Sequence, residues 1–295
     1  MAECSDTSHR QTIAGTVVLY RPAGDVIANI RSYLDDLEIL YVIDNSETVN
    51  REIVVRIQQL DKVVYLHNGE NLGIARALNC AAGKAIDAGY ELLLTMDQDS
   101  CASSGMISAM LECLKDTEFS SIGIITPFHV MEFDDKRPGT EDCERIVSTM
   151  TSGNLLNLQV YQQVGPFRDD FFIDLVDVEY CLRLARHGYL VIQANRALLR
   201  HGLGDITRIR FMNRQLRSAN HSALRRYYMT RNRFHVWRSY GDLAAAQETI
   251  AQDKACFRGE IRNILLMERD KLAKLAMMVR GYLDFRKNRF GRYGG

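Results

Sequence analysis

The sequence predicts an α/β fold on a mostly parallel, helix-covered sheet, and three observations carry that reading. Apolar runs alternate with amphipathic stretches through the first 125 residues. Apolar residues make up 46 % of the 295-residue chain, enough for a substantial core. Polar residues cluster just after the apolar runs, where an open α/β sheet binds its ligand.

TIAGTVVLY (12–20) is rich in β-branched residues and predicts the first strand, with a helix over 24–36 behind it. ILYVID (39–44) and VVYLH continue the strands, separated by a helix over 49–60. Ile74, Ala77, Leu78, Ala81 and Ala85 recur at helical spacing and make 73–89 the clearest helix, entered through Asn71-Leu72-Gly73. ELLLTM (91–96), a helix over 104–115 and IGII (122–125) complete the alternation. HVMEFDDKRPGTEDCER (129–145) is polar and acidic and contains Pro138-Gly139, which predicts a surface loop. A strand (146–150), a helix-like piece (154–163), an extended FFID, a helix from Asp177 to His187 and a last strand, YLVIQ (189–193), follow. From 208 onward the chain reads as helices without further strands. The expected division is a core over 1–205, with a nucleotide-binding half (12–125) and an acceptor half (126–205), then a basic helical region over 206–295.

Lys plus Arg and Asp plus Glu each number 37, but the charge is unevenly spread. Residues 1–180 hold 13 basic against 29 acidic side chains, whereas 181–240 hold 13 arginines against one acid, Asp205. Phosphates of a small ligand, an anionic membrane leaflet and nucleic acid would all attract such a stretch. No nucleic-acid recognition motif accompanies the arginines, so nucleic acid is not an expected partner. The seven cysteines form no CxxC pair, which predicts a reduced, cytosolic setting. MAECSDTSHRQ lacks the basic start and apolar run of a signal peptide, and no apolar stretch approaches the ~18 residues that span a bilayer. A soluble or peripheral protein is expected.

The turn after the first strand, Tyr20-Arg21-Pro22-Ala23-Gly24-Asp25, lacks the GxGxxG of a dinucleotide-binding fold. The chain also lacks GxxxxGK[ST], HExxH and GxSxG. A nucleotidyltransferase would carry a Gly-rich loop after that strand, which VVLYRPAGD does not provide. The strand ends instead carry Tyr20, Asp44-Asn45-Ser46, Asn68 and Asp97-Gln98-Asp99-Ser100. Carboxylates two apart at a strand end can reach one Mg2+ or Mn2+ that also binds phosphate oxygens. A turn with two solvated acids is the alternative at this point.

VVLYRP, VIDNSE, NGENLGIARALN, LLLTMDQDS, TSGNLLN and FFIDLVDVEYCLRLARHGY, in that order, resemble family 2 glycosyltransferases of the GT-A fold. The resemblance runs from about Thr12 to Arg233 and is nearest to bacterial rhamnosyltransferases of O-antigen and related surface polysaccharides. It implies a nucleotide-sugar donor, dTDP-L-rhamnose, and a glycan or polyprenyl-diphosphate-linked glycan as acceptor; a UDP-hexose donor and a non-catalytic relative are the alternatives. It further implies that Asp44 receives the pyrimidine, that Arg76 lies near base or phosphate, and that Asp97 and Asp99 hold ribose, diphosphate and metal. Tyr20 belongs to the same donor group, and His201, in LLRHGLGD, is implied as a third metal ligand before a loop with Gly202 and Gly204.

The family's base is the Asp of a Glu-Asp pair before a helix. Here that segment reads Val176-Asp177, so Asp177 is the expected base, with Asp174 and Glu179 as alternatives. Asp177 is also expected to cap the helix, where the helix dipole would favour its ionised form. HSALRRYYMTRNRFHVW (221–237) matches a basic, Tyr-rich stretch of these enzymes, in which Arg225, Arg226, Arg231 and Arg233 either meet a lipid diphosphate or headgroups, or pack on the acidic core. The helices after Gly241 are expected to pack on the core, form a homodimer, or lie on the cytoplasmic face of the inner membrane; residues 271–290 are basic and partly amphipathic.

Overall fold

A computed structural model describes residues 11–115, 117–131, 137–201, 207–211, 214–218 and 220–294, without side chains over 201–219. Cys4, Gly202, Gly204 and Asp205 lie outside the described residues, as does the His201 side chain. β1 (Ile13–Leu19) is buried at every position, as its β-branched run requires of a central parallel strand. β2 (Ile39–Asp44), β3 (Val63–His67) and β4 (Leu92–Asp97) run parallel with it in the order β3-β2-β1-β4. The connecting helices are α1 (Val26–Leu34), α2 (Arg51–Gln58) and α3 (Ile74–Asp87).

The second half of the sheet contains β5 (Ser100–Ala102), β6 (Ile122–Met131), β7 (Cys143–Ile146), β8 (Asn154–Asn157) and β9 (Leu190–His201). β8 joins the halves by pairing antiparallel to both β4 and β6, and the order continues β4-β8-β6-β9-β5, with β7 on β9. Between them lie α4 (Met106–Glu112), α5 (Leu158–Val164) and α6 (Val176–Arg186). One sheet face packs on α1, α2 and α4 through Ile27, Ile30, Ile57 and Met110. The other packs on α3, α5 and α6 through Leu78, Ala81, Val160 and Leu182. The antiparallel pair β10 (Thr207–Phe211) and β11 (Arg214–Ser218) precedes α7 (Ala223–Tyr240), α8 (Gln247–Leu266) and α9 (Lys271–Arg286).

The predicted α/β class and alternating order are present, but the second half departs from expectation. Cys143–Ile146 forms the strand placed at 146–150, and Asn154–Asn157 is a strand rather than the start of a helix. FFID is a tight turn, not an extended segment, and a hairpin interrupts the region read as purely helical after 208. Short strands such as NLLN carry too few residues for alternation to tell them from a helix turn. The expectation of a fully reduced chain is also corrected. Cys113, at the end of α4, and Cys143, at the start of β7, form a disulfide across 30 residues of sequence. Their separation hides the pairing until the sheet brings β7 beside α4. No helix among the described residues is long and apolar enough to cross a membrane.

Candidate active site

Parallel strands whose ends share one level bring distant carboxylates together. Leu19 faces Asp44 on one side of β1, and Val18 faces Asp97 on the other. The two aspartates thus stand two strand spacings apart, about 9–10 Å of sheet. Asp44 is fully buried; its Oδ2 accepts from the Tyr65 hydroxyl at 2.7 Å and its Oδ1 from the Ser46 N–H at 2.8 Å. Burial, and then the Asp44 carboxylate, raises the Tyr65 hydroxyl above its ordinary range and keeps it a donor. Asn45 follows at the same strand end: its amide donates to the Gly73 carbonyl at 3.0 Å and its Oδ1 accepts from Asn68 at 2.7 Å.

Asn45 therefore ties the end of β2 to the entry of α3. Arg76 lies in the first turn of α3, exposed, and among the described residues its guanidinium has no partner. An uncommitted planar cation at a helix N-terminus suits an anionic oxygen. Tyr20, at the end of β1, is half exposed; its hydroxyl donates to Glu47 at 3.3 Å. Its main chain pairs with the Gln98 side chain, which accepts from Tyr20 N–H at 2.9 Å and donates to Tyr20 O at 3.3 Å. The middle residue of Asp97-Gln98-Asp99 is thus a staple that fixes the turn, while its neighbours flank the cleft.

Asp97 is partly exposed and Asp99 exposed. Their oxygen donors suit a hard divalent cation, and His201 lies beside them by main-chain register with Ser100. No group of three His, Cys, Asp or Glu that could hold a metal occurs among the described residues. The donor set fits a cation that completes its shell with phosphate and water rather than one caged by protein. Burial, with the Asp97 charge second, raises the Tyr33 hydroxyl well above its usual range and keeps it protonated.

The loop Thr151-Ser152-Gly153 links this end of β4 to Asp177. Ser152 Oγ accepts from the Asp97 N–H at 3.0 Å and donates to Ser100 Oγ at 2.8 Å. The Thr151 carbonyl accepts from Thr95 Oγ1 at 2.6 Å, and Thr151 Oγ1 reaches Asp177 Oδ2 at 3.5 Å, the outer limit of a hydrogen bond. Gly153, at φ +85°, has no room for a side chain: a Cβ there would sit 2.7 Å from Pro127 and 2.8 Å from Leu199.

Asp177 does not cap α6. Leu175 occupies the N-cap in a left-handed conformation, and Asp177 sits in the first turn with Oδ1 accepting its neighbour Val178 N–H at 2.8 Å. Burial raises its carboxyl above the ordinary range, Asp174 adds to the rise, and the Val178 N–H opposes it. The expected acidifying effect of the helix end is outweighed by desolvation, which makes Asp177 a stronger base.

The two alternatives for the base are committed elsewhere. Glu179 is buried, accepting from Tyr240 Oη at 2.7 Å and Arg183 at 2.9 Å. Asp174 receives a fork from Arg225, with Nη2 at 2.8 Å. The segment before Asp177 is strained: Phe172, Asp174 and Leu175 have φ of 66°, 65° and 60°. Two buried residues of α7 hold it. Asn232 Nδ2 donates to the carbonyls of Phe171, Ile173 and Asp174 at 2.9–3.0 Å, and Arg231 Nη2 to those of Asp170 and Phe171.

Of the two roles expected for the arginines of 221–237, facing a lipid or packing within the protein, Arg226, Arg231 and Arg233 take the second, while Arg225 is exposed and paired with Asp174. Arg226 and Arg233 are buried in ion pairs with Glu260, Glu268 and Asp253, and Arg231 is 0 % exposed. Four residues of this site carried no role in the sequence reading: Tyr65, Asn45, Ser152 and Asn232. Ser152 lies in the TSGNLLN motif, the one signal that pointed to it.

The sequence model of glycosyl transferase family 2 matches residues 23–173, just over half of the chain. The chain therefore belongs to glycosyl transferase family 2. It is 28 % identical over 251 residues to the dTDP-rhamnosyl transferase RfbF of Shigella flexneri, covering 77 % of this chain and 80 % of that protein. Its fold is similar to TarS 1-349 of S. aureus in complex with UDP-GlcNAc, with a TM-score of 0.62 at 12 % identity, covering 95 % of this chain and 82 % of TarS 1-349. It is also similar to GalNAc-T7 with UDP, GalNAc and Mn2+, with a TM-score of 0.55 at 12 % identity, covering 68 % of this chain and 44 % of the other. The GT-A fold and the glycosyltransferase class stand on these findings together.

Proposed function

We propose that this glycosyltransferase moves L-rhamnose from dTDP-L-rhamnose to a surface glycan with inversion at the anomeric carbon. The observation that carries the reading is that one loop, Thr151-Ser152, contacts both the Asp97 main chain and the Asp177 carboxylate. Asp44 accepts from the thymine N–H at the deep end of the cleft, while Tyr20 borders the donor and Arg76 meets a phosphate oxygen. Asp97 and Asp99, with His201 beside them, would hold Mg2+ or Mn2+, which supplies positive charge to the departing diphosphate. Asp177 takes the proton of the acceptor hydroxyl as its oxygen bonds to the anomeric carbon. The bond from that carbon to the diphosphate breaks, and dTDP leaves with the electron pair. The likeness to RfbF supports the donor; a UDP-hexose donor is the second reading, favoured only by the UDP-GlcNAc named for TarS.

The raised carboxyl of Asp177 supports its part as the base that takes the acceptor proton. In this reading the acceptor is a glycan on polyprenyl diphosphate, met at the cytoplasmic face of a membrane. The test is a donor panel: nucleoside diphosphate release with dTDP-L-rhamnose, UDP-glucose and UDP-GlcNAc, each with Mn2+ or EDTA and a lipid-linked glycan acceptor. Release from dTDP-L-rhamnose alone, abolished by EDTA, is expected; equal or greater release from a UDP-hexose overturns the donor assignment.

A further inference from the structure

α9 lies along α7, whereas α8 touches α9 only sparsely, so the two C-terminal helices leave an apolar groove between them. Phe257 and Ile261 of α8, Leu275 and Val279 of α9, and Phe234 of α7 line it. The spacing of Phe257, Ile261 and Leu265 puts them on one α8 row, and Leu272, Leu275, Val279 and Leu283 continue one α9 face. At the mouth of the groove the apolar surface is open rather than covered. Leu272 is 84 % exposed, and Leu265, Leu266, Val279 and Leu283 are each about half exposed. Scattered apolar residues are ordinary on a surface; a contiguous apolar face on two adjacent helices is not.

The charges around the groove indicate what covers it. Three acids near it point inward: Glu260 of α8 pairs with Arg226 and Arg233, Glu268 of the junction with Arg226 and Lys274, and Asp284 of α9 with Tyr227 and Arg280, while Asp270 at the junction is exposed among cations. Apart from the buried Lys274, the cations stay outside. Arg258, Arg262, Arg269, Lys271, Arg286 and Lys287 are all exposed on α8, α9 and their junctions. An apolar face rimmed by cations fits the boundary of an anionic bilayer, where the leucines enter the acyl region and the cations meet lipid phosphates. A second copy of the chain would bring the same cations against each other.

We propose that the α8–α9 face docks the protein on an anionic membrane surface. The surface is built by different residues from the arginines of α7, of which Arg226 and Arg233 are buried in ion pairs and Arg231 is buried against main-chain carbonyls. The proposal stands independently of the donor assignment, since it is read without donor or acceptor. The test is co-sedimentation of the full chain with vesicles of phosphatidylcholine, alone or with roughly a third phosphatidylglycerol. Strong partition into the anionic vesicles and little into the neutral ones is expected. Arg258→Gln with Arg262→Gln is expected to weaken anionic partition about thirtyfold, and Leu272→Ser with Val279→Ser to weaken it at least tenfold or so. Circular dichroism checks that these exposed-site variants fold; if either does not, the neutral-against-anionic comparison on the native chain still decides. Equal partition into both vesicle types, no partition at all, or unchanged partition of both folded variants overturns the proposal. So does sedimentation velocity showing that Leu272→Ser with Val279→Ser converts a dimer to a monomer.

Discussion

Asn232 donates to the main-chain carbonyl of Asp174 at 2.9 Å, and through it the C-terminal helices hold the strained turn that delivers Asp177. The same amide nitrogen serves Phe171 and Ile173, and the Phe171 carbonyl also accepts from Arg231 Nη2. Asn232→Ala removes the side-chain donor to the Ile173 and Asp174 carbonyls at a cost of about 1–3 kcal/mol. Chemical denaturation is expected to show that loss. Steady-state kinetics should show kcat falling while the donor KM stays near its wild-type value, because the change displaces the base and not the nucleotide.

In the proposed mechanism Asp177 couples turnover and stability in opposite senses. Its raised carboxyl pKa means that the folded chain binds the proton more tightly than the unfolded chain. The stability from this group is full at pH below the ordinary carboxylate range and is lost as pH rises through the raised value. At neutral pH Asp177→Asn removes the buried charge, so the variant is expected to melt higher while losing roughly 10²–10⁴-fold in kcat. In the wild type, kcat/KM is expected to fall on acidification at a higher pH than an ordinary carboxylate would give.

Glu179 provides the contrast. It is 2 % exposed and bonded to Tyr240 and Arg183. Glu179→Ala strands the Arg183 charge and is expected to cost about 3–5 kcal/mol in denaturant titrations. Glu179→Gln, which keeps an acceptor for Tyr240, is expected to retain turnover near wild type.

Gly73 has φ +85°, and a Cβ there would lie 2.5 Å from the Phe172 carbonyl oxygen that accepts from Ile74 N–H. Gly73→Ala is therefore expected to destabilise by at least about 1–3 kcal/mol and to lower kcat, since it pushes α3 away from the base turn. A melting curve and a turnover assay on the one variant check both effects.

The strands that end at Tyr20, Asp44 and Asp97 were legible because each is a long apolar run with a polar stop, and parallel pairing then places the stops at one level. Asp177 was legible from its place in FFIDLVDVEY, but its environment was not: the left-handed Leu175 at the cap and the burial that raises its carboxyl arise only from packing. Asn232 was hidden for another reason. It sits among arginines whose charge left both a lipid and the protein open as partners, and Glu260, Glu268 and Asp253, which turn the charge of Arg226 and Arg233 inward, are supplied from α8 and the segment after it. The Cys113–Cys143 pair was likewise invisible at a separation of 30 residues.

The central claim is that Asp97 and Asp99 form the diphosphate side of a sugar-transfer site completed by Asp177. Its most direct test is dTDP release from dTDP-L-rhamnose by Asp97→Ala/Asp99→Ala protein, with saturating Mn2+ and acceptor, beside the wild type. Loss of at least about 10²-fold in a folded variant, with Mn2+ no longer changing the rate, is the predicted result. Full activity in that variant, or activity in the wild type that EDTA leaves untouched, would contradict it.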